Sequence, residues 1–405
     1  MRFAQRTNWE LRPNRFAEAL SGHRAAGKEV LDLTASNPPE AGLNYDAEVI
    51  LSAFQNTKSL EYHPEPKGLL CAREAVTEYY AEVQRNASEG GARDSVRGPS
   101  APGTSLDSER IILTTSTSEA YTYAFRLLCD PGDEVLIPTP SYPLFEYLAG
   151  LQDVKLVQYP LFYDHGWHID FYALRQGIGP RTRAIILVNP NNPTGSYVSE
   201  NETKELNAIC GGHKLSLIVD EVFLDYSLGD ARPSFAFNDA SLTFTLSGIS
   251  KVSGLPQMKL AWMAVSGPET VRAEALAKLE VIADTYLSMS APVQLAAPTL
   301  LAQRKSIREQ LMVRVGSNLS ELDRQISGTA VNRLHIEGGW YAVVRVPRVQ
   351  SDEELAISLL QQKDVLVQPG YFYDFADDGY LVLSLITPER TFREGLQRML
   401  ESVNQ

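Results

Sequence analysis

An α/β lobe built on a mostly parallel sheet, joined to a smaller α+β lobe, is the fold class that this sequence predicts. Three observations carry it. The chain has 405 residues, about twice the usual domain size, so two packed lobes are expected. From about residue 110, short β-branched runs alternate with longer stretches of helical apolar spacing, the texture of buried parallel strands separated by crossover helices. After about Thr285 that alternation gives way to a long helical stretch and a few separated strands. These changes put the large lobe at 47–285 and the small lobe at 1–46 together with 286–405.

The elements follow in order. The first 45 residues read as a helix over Asn8–Leu20, with Pro13 inside its pattern, and an extended segment able to join either lobe. Asn86 to Ser108 is rich in Gly, Ser, Pro and charge and nearly free of apolar residues, so it reads as a surface loop with too little to bury. Strands are expected at 110–113 (RIIL), 134–137, 184–188 (AIILV), 215–219 (LSLIV), 242–246 (LTFTL) and 261–265 (AWMAV), with a helix over 119–129 that repeats Ala120, Ala124, Leu127 and Leu128. The small lobe is expected to hold a long helix from about Pro292 to Ile326, a strand at 339–346, a helix from Asp352, a strand at 381–385 and a closing helix.

Composition narrows the function classes. Hydrophobic residues make up 44% and charged residues 21%, enough apolar material for a large core. Lys and Arg number 37 against 50 Asp and Glu, a formal charge of −13, which argues against nucleic-acid or anionic-membrane binding. The sequence has no apolar run of about 18 residues or more, and the first ten residues (MRFAQRTNWE) lack the apolar core of a secretory signal. Three scattered cysteines, Cys71, Cys129 and Cys210, suit neither a disulfide framework nor a zinc ribbon. HExxH is absent, and His165 and His168 have no carboxylate at metal spacing, so no metal is expected. A cytoplasmic protein is the expectation.

Four segments could carry chemistry. Thr114–Ala120 (TTSTSEA) joins a strand to a helix, and Ser116-x-x-Glu119 fits a capping box whose free amides would suit a phosphate. Asn189–Gly195 (NPNNPTG) follows an apolar strand and builds a rigid turn. Asp220-Glu221 ends the next strand, at the edge where ligands sit in open α/β sheets. Lys251, in Ser247–Lys259 (SGISKVSGLPQMK), lies among small residues after another strand. Alone, each has an ordinary structural reading as a capped helix, a rigid loop, an acidic strand end or a solvated lysine.

Taken in order, with Pro138–Pro143 (PTPSYP) between the first two, these segments resemble the fold-type I pyridoxal-phosphate (PLP) enzymes, specifically the class I/II aminotransferase family. The likeness runs from Ser36-Asn37-Pro38 to the C-terminal helix. It implies a PLP-dependent transferase-like fold whose large domain has a seven-stranded, mostly parallel sheet. It implies Lys251 as the Schiff-base lysine that also moves the Cα proton, and Asp220 as partner of the pyridinium nitrogen. Asn192 would donate to the phenolic oxygen and Tyr142 would stack on the ring. Ser116, Thr117, Ser250 and Lys259 would hold the phosphate. Tyr62, in Tyr62-His63-Pro64, would reach the phosphate of a neighbouring subunit, which implies a homodimer. Glu337-Gly338-Gly339-Trp340 resembles the family's glycine turn near the substrate, and Asn37 would face the substrate.

The sequence departs from the family in three places. Lys259 stands where an Arg is usual, a point charge in place of a planar fork. Phe223 stands where a Tyr usually bonds the phenolic oxygen. Val382, two residues before Ser384, stands where an arginine usually grips the substrate α-carboxylate. Arg390, just past that strand, is the first candidate to replace it and Arg345 the second. The expected activity is transfer of an amino group from an amino acid to a keto acid. A PLP-dependent C–S lyase or β-elimination enzyme, or a degenerate PLP-binding protein, would use the same Lys251 and Asp220.

Overall fold

The computed structural model describes residues 2–90 and 105–403. Its large sheet runs, edge to edge, Ile111–Thr114, Ala261–Ser266, Thr243–Gly248, Ser216–Asp220, Thr182–Val188, Glu134–Thr139, Lys155–Tyr163 and Trp167–Ile169. The five neighbours from Thr243–Gly248 to Lys155–Tyr163 pair in parallel, while Ala261–Ser266 and Trp167–Ile169 run antiparallel to their partners. The sheet has eight strands where the family resemblance implied seven. The extra one, Trp167–Ile169, folds back on Lys155–Tyr163 as an edge hairpin.

Helices on both faces explain the unbroken apolar strands. In Ser216–Asp220 every residue is buried: Leu217 and Val219 pack with Leu206 and Ile209, and Ile218 faces the opposite side with Ala124 and Leu279. Such two-sided burial is what a parallel strand needs. The helix Thr117–Leu128 starts two residues earlier than its apolar spacing marks, because Ser116 caps it by accepting from Glu119 N at 3.2 Å. The other half of the capping box is displaced by one residue: Glu119 Oε2 accepts from Thr115 N at 2.7 Å.

The small lobe carries an antiparallel sheet in the order Asn332–Arg333, Tyr341–Arg345, Tyr380–Ser384, Gln368–Pro369. Leu31–Asp32 pairs in parallel with Val365–Leu366, and Ser384 N donates to Leu33 O at 2.7 Å, which ties the N-terminal segment to the C-terminal part of the chain. The N-terminal helix is Arg15–Ala25 rather than Asn8–Leu20. Asn14, after Pro13, caps it by accepting from Ala17 N, which fixes the start. The stretch expected as one helix from Pro292 to Ile326 divides into Ala291–Ala302 and Arg304–Ile326. The first of these buries Ala296, Ala297 and Leu300 in one cluster with Ala72, Val76 and Tyr79 of helix Leu70–Gly90, so it packs on the large lobe. Asn86 to Gly90, expected as loop, completes that helix, and Ser108–Arg110 is a 3-10 turn. Residues 91–104 of the expected loop lie outside the described residues.

Two turns meet where the lobes join. Gly195, at φ +70°, closes the NPNNPTG turn, and its carbonyl accepts from Glu337 N at 3.1 Å and Gly338 N at 2.9 Å. A Cβ on Gly195 would lie 2.5 Å from the Gly338 carbonyl oxygen, and one on Gly338 would lie 2.8 Å from Tyr226 O. Both positions therefore need glycine for close backbone approach.

Candidate active site

The carboxyl ends of the parallel strands gather the expected residues at one edge. A cavity of about 290 Å³ opens there, lined by Ser36, Asn37, Thr117, Tyr142, Val188, Asn192, Asp220, Val222, Phe223, Ser250, Lys251 and Tyr341. Thr117 begins the helix after Ile111–Thr114, Tyr142 follows Glu134–Thr139, Asn192 follows Thr182–Val188, and Asp220 ends its own strand. Lys251 sits in the short helix Ile249–Val252 directly after Thr243–Gly248. Register aligns these ends: Val188 pairs with Asp220, and Asp220 with Leu246. Parallel order thus converts separated motifs into neighbours.

Hydrogen bonds fix the two turns that shape the floor. Asn191 accepts from Ser141 Oγ at 3.1 Å and donates to Pro140 O at 3.0 Å and to Thr194 Oγ1 at 2.9 Å, clamping PTPSYP against NPNNPTG. Its neighbour Asn192 is left to face the cavity, and its Oδ1 is buried with no hydrogen-bond partner among the described residues. Asp220 Oδ1 accepts from Val222 N at 3.2 Å, and its Oδ2 accepts from the buried Tyr121 hydroxyl at 3.3 Å.

Burial and charge set the two titrating groups. Lys251 Nζ donates to Ser36 O at 3.1 Å and lies 4.9 Å from the Trp340 ring centre and 5.8 Å from that of Phe223. Burial lowers the Lys251 amine from 10.5 to about 8, against the opposing pull of Asp220. Burial raises the Asp220 carboxyl from 3.8 to about 6, countered by the Val222 amide, Tyr121 and Lys251. Glu221, behind it, is raised to about 8 by burial while accepting from Ser234 Oγ at 2.5 Å and Phe235 N at 2.8 Å.

Five expected residues stand apart from the lining, among them Ser116, which caps helix Thr117–Leu128. Tyr62 is 79% exposed and lines a different cavity, with His63, Tyr123 and Ser288. Lys259 is exposed, in a left-handed conformation, and is not among the lining residues. Arg390, expected to take the carboxylate, is exposed in the first turn of Glu389–Val403 and outside the cavity. The cause is a long-range contact: Asn318 donates to Leu385 O and Thr387 O, both at 2.8 Å, holding the chain against helix Arg304–Ile326 before Arg390 is reached. Arg345 is also exposed and lies over the Tyr380 ring at 5.5 Å. Ser36, Tyr121 and Tyr341 were not singled out from the sequence. Each is an ordinary residue type in a segment whose facing depends on long-range pairing, so no local signal marked it.

The fold defines the class: a PLP-transferase-like α/β lobe with an α+β lobe across the carboxyl edge. The Aminotransferase class I and II family model matches residues 28–398, and the chain belongs to that family. The glutamate-pyruvate aminotransferase AlaA of Escherichia coli K12 is 28% identical over 373 residues, covering 89% of this chain and 87% of that protein. An alanine aminotransferase of Mycobacterium tuberculosis is 27% identical over 387 residues, 93% of this chain and 86% of its own length. Among solved structures, an aminotransferase from Escherichia coli superposes with a TM-score of 0.82 at 25% identity, covering 100% of this chain and 99% of that one. The protein is a PLP-dependent aminotransferase.

The cavity suits PLP. Its strand-end carboxylate and its buried amine are complementary to a pyridinium nitrogen and an aldehyde, and the Asn192 side-chain amide lines the same cavity. Among the described residues no helix is long and apolar enough to cross a membrane.

Proposed function

We propose that Lys251 carries the cofactor and acts on the substrate Cα proton, with Asp220, Asn192 and Tyr142 holding the ring. The observation behind this is the pairing of a buried amine, lowered to about 8, with a buried carboxylate in one cavity. An amine near 8 is partly neutral at physiological pH, so Lys251 can serve as nucleophile and then as proton carrier. Bound PLP supplies the aldehyde and the electron-withdrawing ring. Asp220, ionised, keeps the pyridine nitrogen protonated. Asn192 turns its amide to the phenolic oxygen, and Tyr142 covers one face. Trp340 and Phe223 wall Lys251 from water. Borohydride is expected to fix the cofactor on Lys251, and a peptide map with the adduct elsewhere would overturn the assignment.

Thr117, the amide end capped by Ser116, and Ser250 form the phosphate end of this reading, with Lys259 as the expected cation. Lys259→Ala is then expected to weaken cofactor binding by about one to two decades, the worth of a charge-assisted hydrogen bond. Unchanged affinity would take Lys259 off the phosphate.

We also propose a cytoplasmic homodimer in which Tyr62 reaches the phosphate of the second subunit. Support comes from exposed apolar side chains in this part of the chain: Leu51 at 62%, Leu60 at 91% and Tyr62 itself at 79%. Sedimentation at the mass of one 44.8 kDa chain would refute the dimer. Tyr62→Phe should weaken cofactor binding if the reach is right.

A further inference from the structure

Among the described residues, the wall of the Lys251 cavity that remains for a substrate carries no cation. Apart from Lys251 itself, its polar lining is Ser36, Asn37, Thr117, Tyr142, Asn192, Ser250 and Tyr341, all neutral, together with the negative Asp220. The small-lobe sheet behind it continues the pattern. Tyr341 pairs with Ser384, and Val343 with Val382, which in turn pairs with Gln368, so by register these side chains share one face. Ser384 donates to Ala35 O, and Tyr373 donates to Gln368 Oε1, so both polar groups on that face are turned to neutral partners. Arg345 lies on the same face but beyond Val343, exposed and held by Tyr380, to whose hydroxyl it donates at 3.3 Å.

Resting on the assignment of this cavity as the site of amino transfer, we propose that the substrate is an α-amino compound whose carboxyl group is masked, as an amide or ester. A buried carboxylate with no cation beside it is disfavoured, and Asp220 and the faces of Trp340 and Phe223 add negative potential. A neutral carbonyl asks only for a donor. The Tyr341 hydroxyl supplies one, since burial raises it to about 12 and keeps it protonated at every working pH. Chemistry at the amino-bearing carbon is unchanged. The amino compound gives its nitrogen, its Cα proton and the electron pair of that C–H bond to the bound cofactor, and leaves as the keto amide or keto ester, its new oxygen coming from water.

The test is the half-reaction of holoenzyme with alanine and phenylalanine, each as free acid, amide and methyl ester, followed by the change in cofactor absorbance. A kcat/KM at least tenfold higher for the amide or ester than for the acid is expected, the better of the two identifying the mask. Val382→Arg should reverse the order, and Tyr341→Phe should lower the amide rate about tenfold. Tyr341→Phe keeps the test open if the arginine variant does not fold. A free acid that reacts as well as its amide, or a raised KM for the acid in Arg345→Ala, would overturn the proposal while leaving the amino-transfer reading intact. Conversion by none of the six compounds would overturn both.

Discussion

The two walls of the Lys251 cavity are built differently. The large-lobe wall presents Thr117, Asn192, Asp220 and Lys251, each at the carboxyl end of a parallel strand or at the turn after it. The opposite wall presents Ser36 and Asn37 from the N-terminal segment and Tyr341 from an antiparallel strand, with Val382 behind. One wall concentrates charge and oriented dipoles, and the other is neutral and aromatic. Charged chemistry is thus confined to the wall that would hold the cofactor, and discrimination among substrates falls to the wall that lacks charge.

The sharpest way to break this division is to remove the charge that defines it. Lys251→Ala is expected to lower kcat by about 10²–10⁴ through lost proton transfer alone, and more once covalent attachment is counted. Activity within tenfold of the parent would mean that the proton is handled from the other wall. Asp220→Asn comes next. A cofactor affinity lower by about one to two decades is expected for a lost charge-assisted hydrogen bond. The same change should move the Lys251 titration below its present value of about 8, because Asp220 is what holds it up.

Those two groups also give the apoprotein opposite pH trends. Lys251 has a folded value of about 8 against 10.5, so between these pH values the unfolded chain binds more protons and stability rises with pH. Asp220 has a folded value of about 6 against 3.8, so its contribution is present below 3.8 and lost as pH rises through about 6. Thermal melts of the apoprotein and of Asp220→Asn from pH 4 to 7 separate the second trend. An unchanged pH slope in the variant would show that Asp220 is not the group responsible.

The same contrast explains what could be read from the sequence. Asp220, Asn192, Thr117 and Lys251 were legible because each lies in a short motif next to an apolar strand, and strand order alone then brings them together. Tyr341 was within an expected strand, but which face it presents depends on pairing with Ser384 and on Leu33 docking beside it. Lys155–Tyr163 was missed because its solvent-facing positions and Pro160 break the apolar run that marked the buried strands. Arg390 was misplaced for a related reason: distance along the chain suggested the cavity, and Asn318, distant in sequence, decides otherwise.

The walls are held in register where Gly195 meets Gly338. Gly195→Ala places a Cβ 2.5 Å from a backbone oxygen at a φ of +70°. A loss of roughly 1–3 kcal/mol is expected from backbone strain and overpacking. A fall in Tm accompanied by a raised KM would indicate that the lobes have shifted relative to each other. Neither change would mean that the turn yields locally and that the walls are set elsewhere.

The smallest effect tests where the walls meet. Phe223 is 4% exposed, edge-on to Trp340 with ring centres 5.0 Å apart, and its own ring centre is 5.8 Å from Lys251 Nζ. Phe223→Tyr adds a donor near the place proposed for the cofactor's phenolic oxygen. A hydrogen bond to that oxygen favours its ionised form, so the pH midpoint of the holoenzyme's visible absorbance should fall. One neutral hydrogen bond is worth about 1 kcal/mol, and a full pH unit about 1.4 kcal/mol, so the shift should be somewhat under one unit. A midpoint equal to the parent's would mean that the new hydroxyl points toward Trp340 and Tyr341, and that Phe223 belongs to the neutral wall rather than the charged one. That would sharpen the division, since the phenolic oxygen would then depend on Asn192 alone.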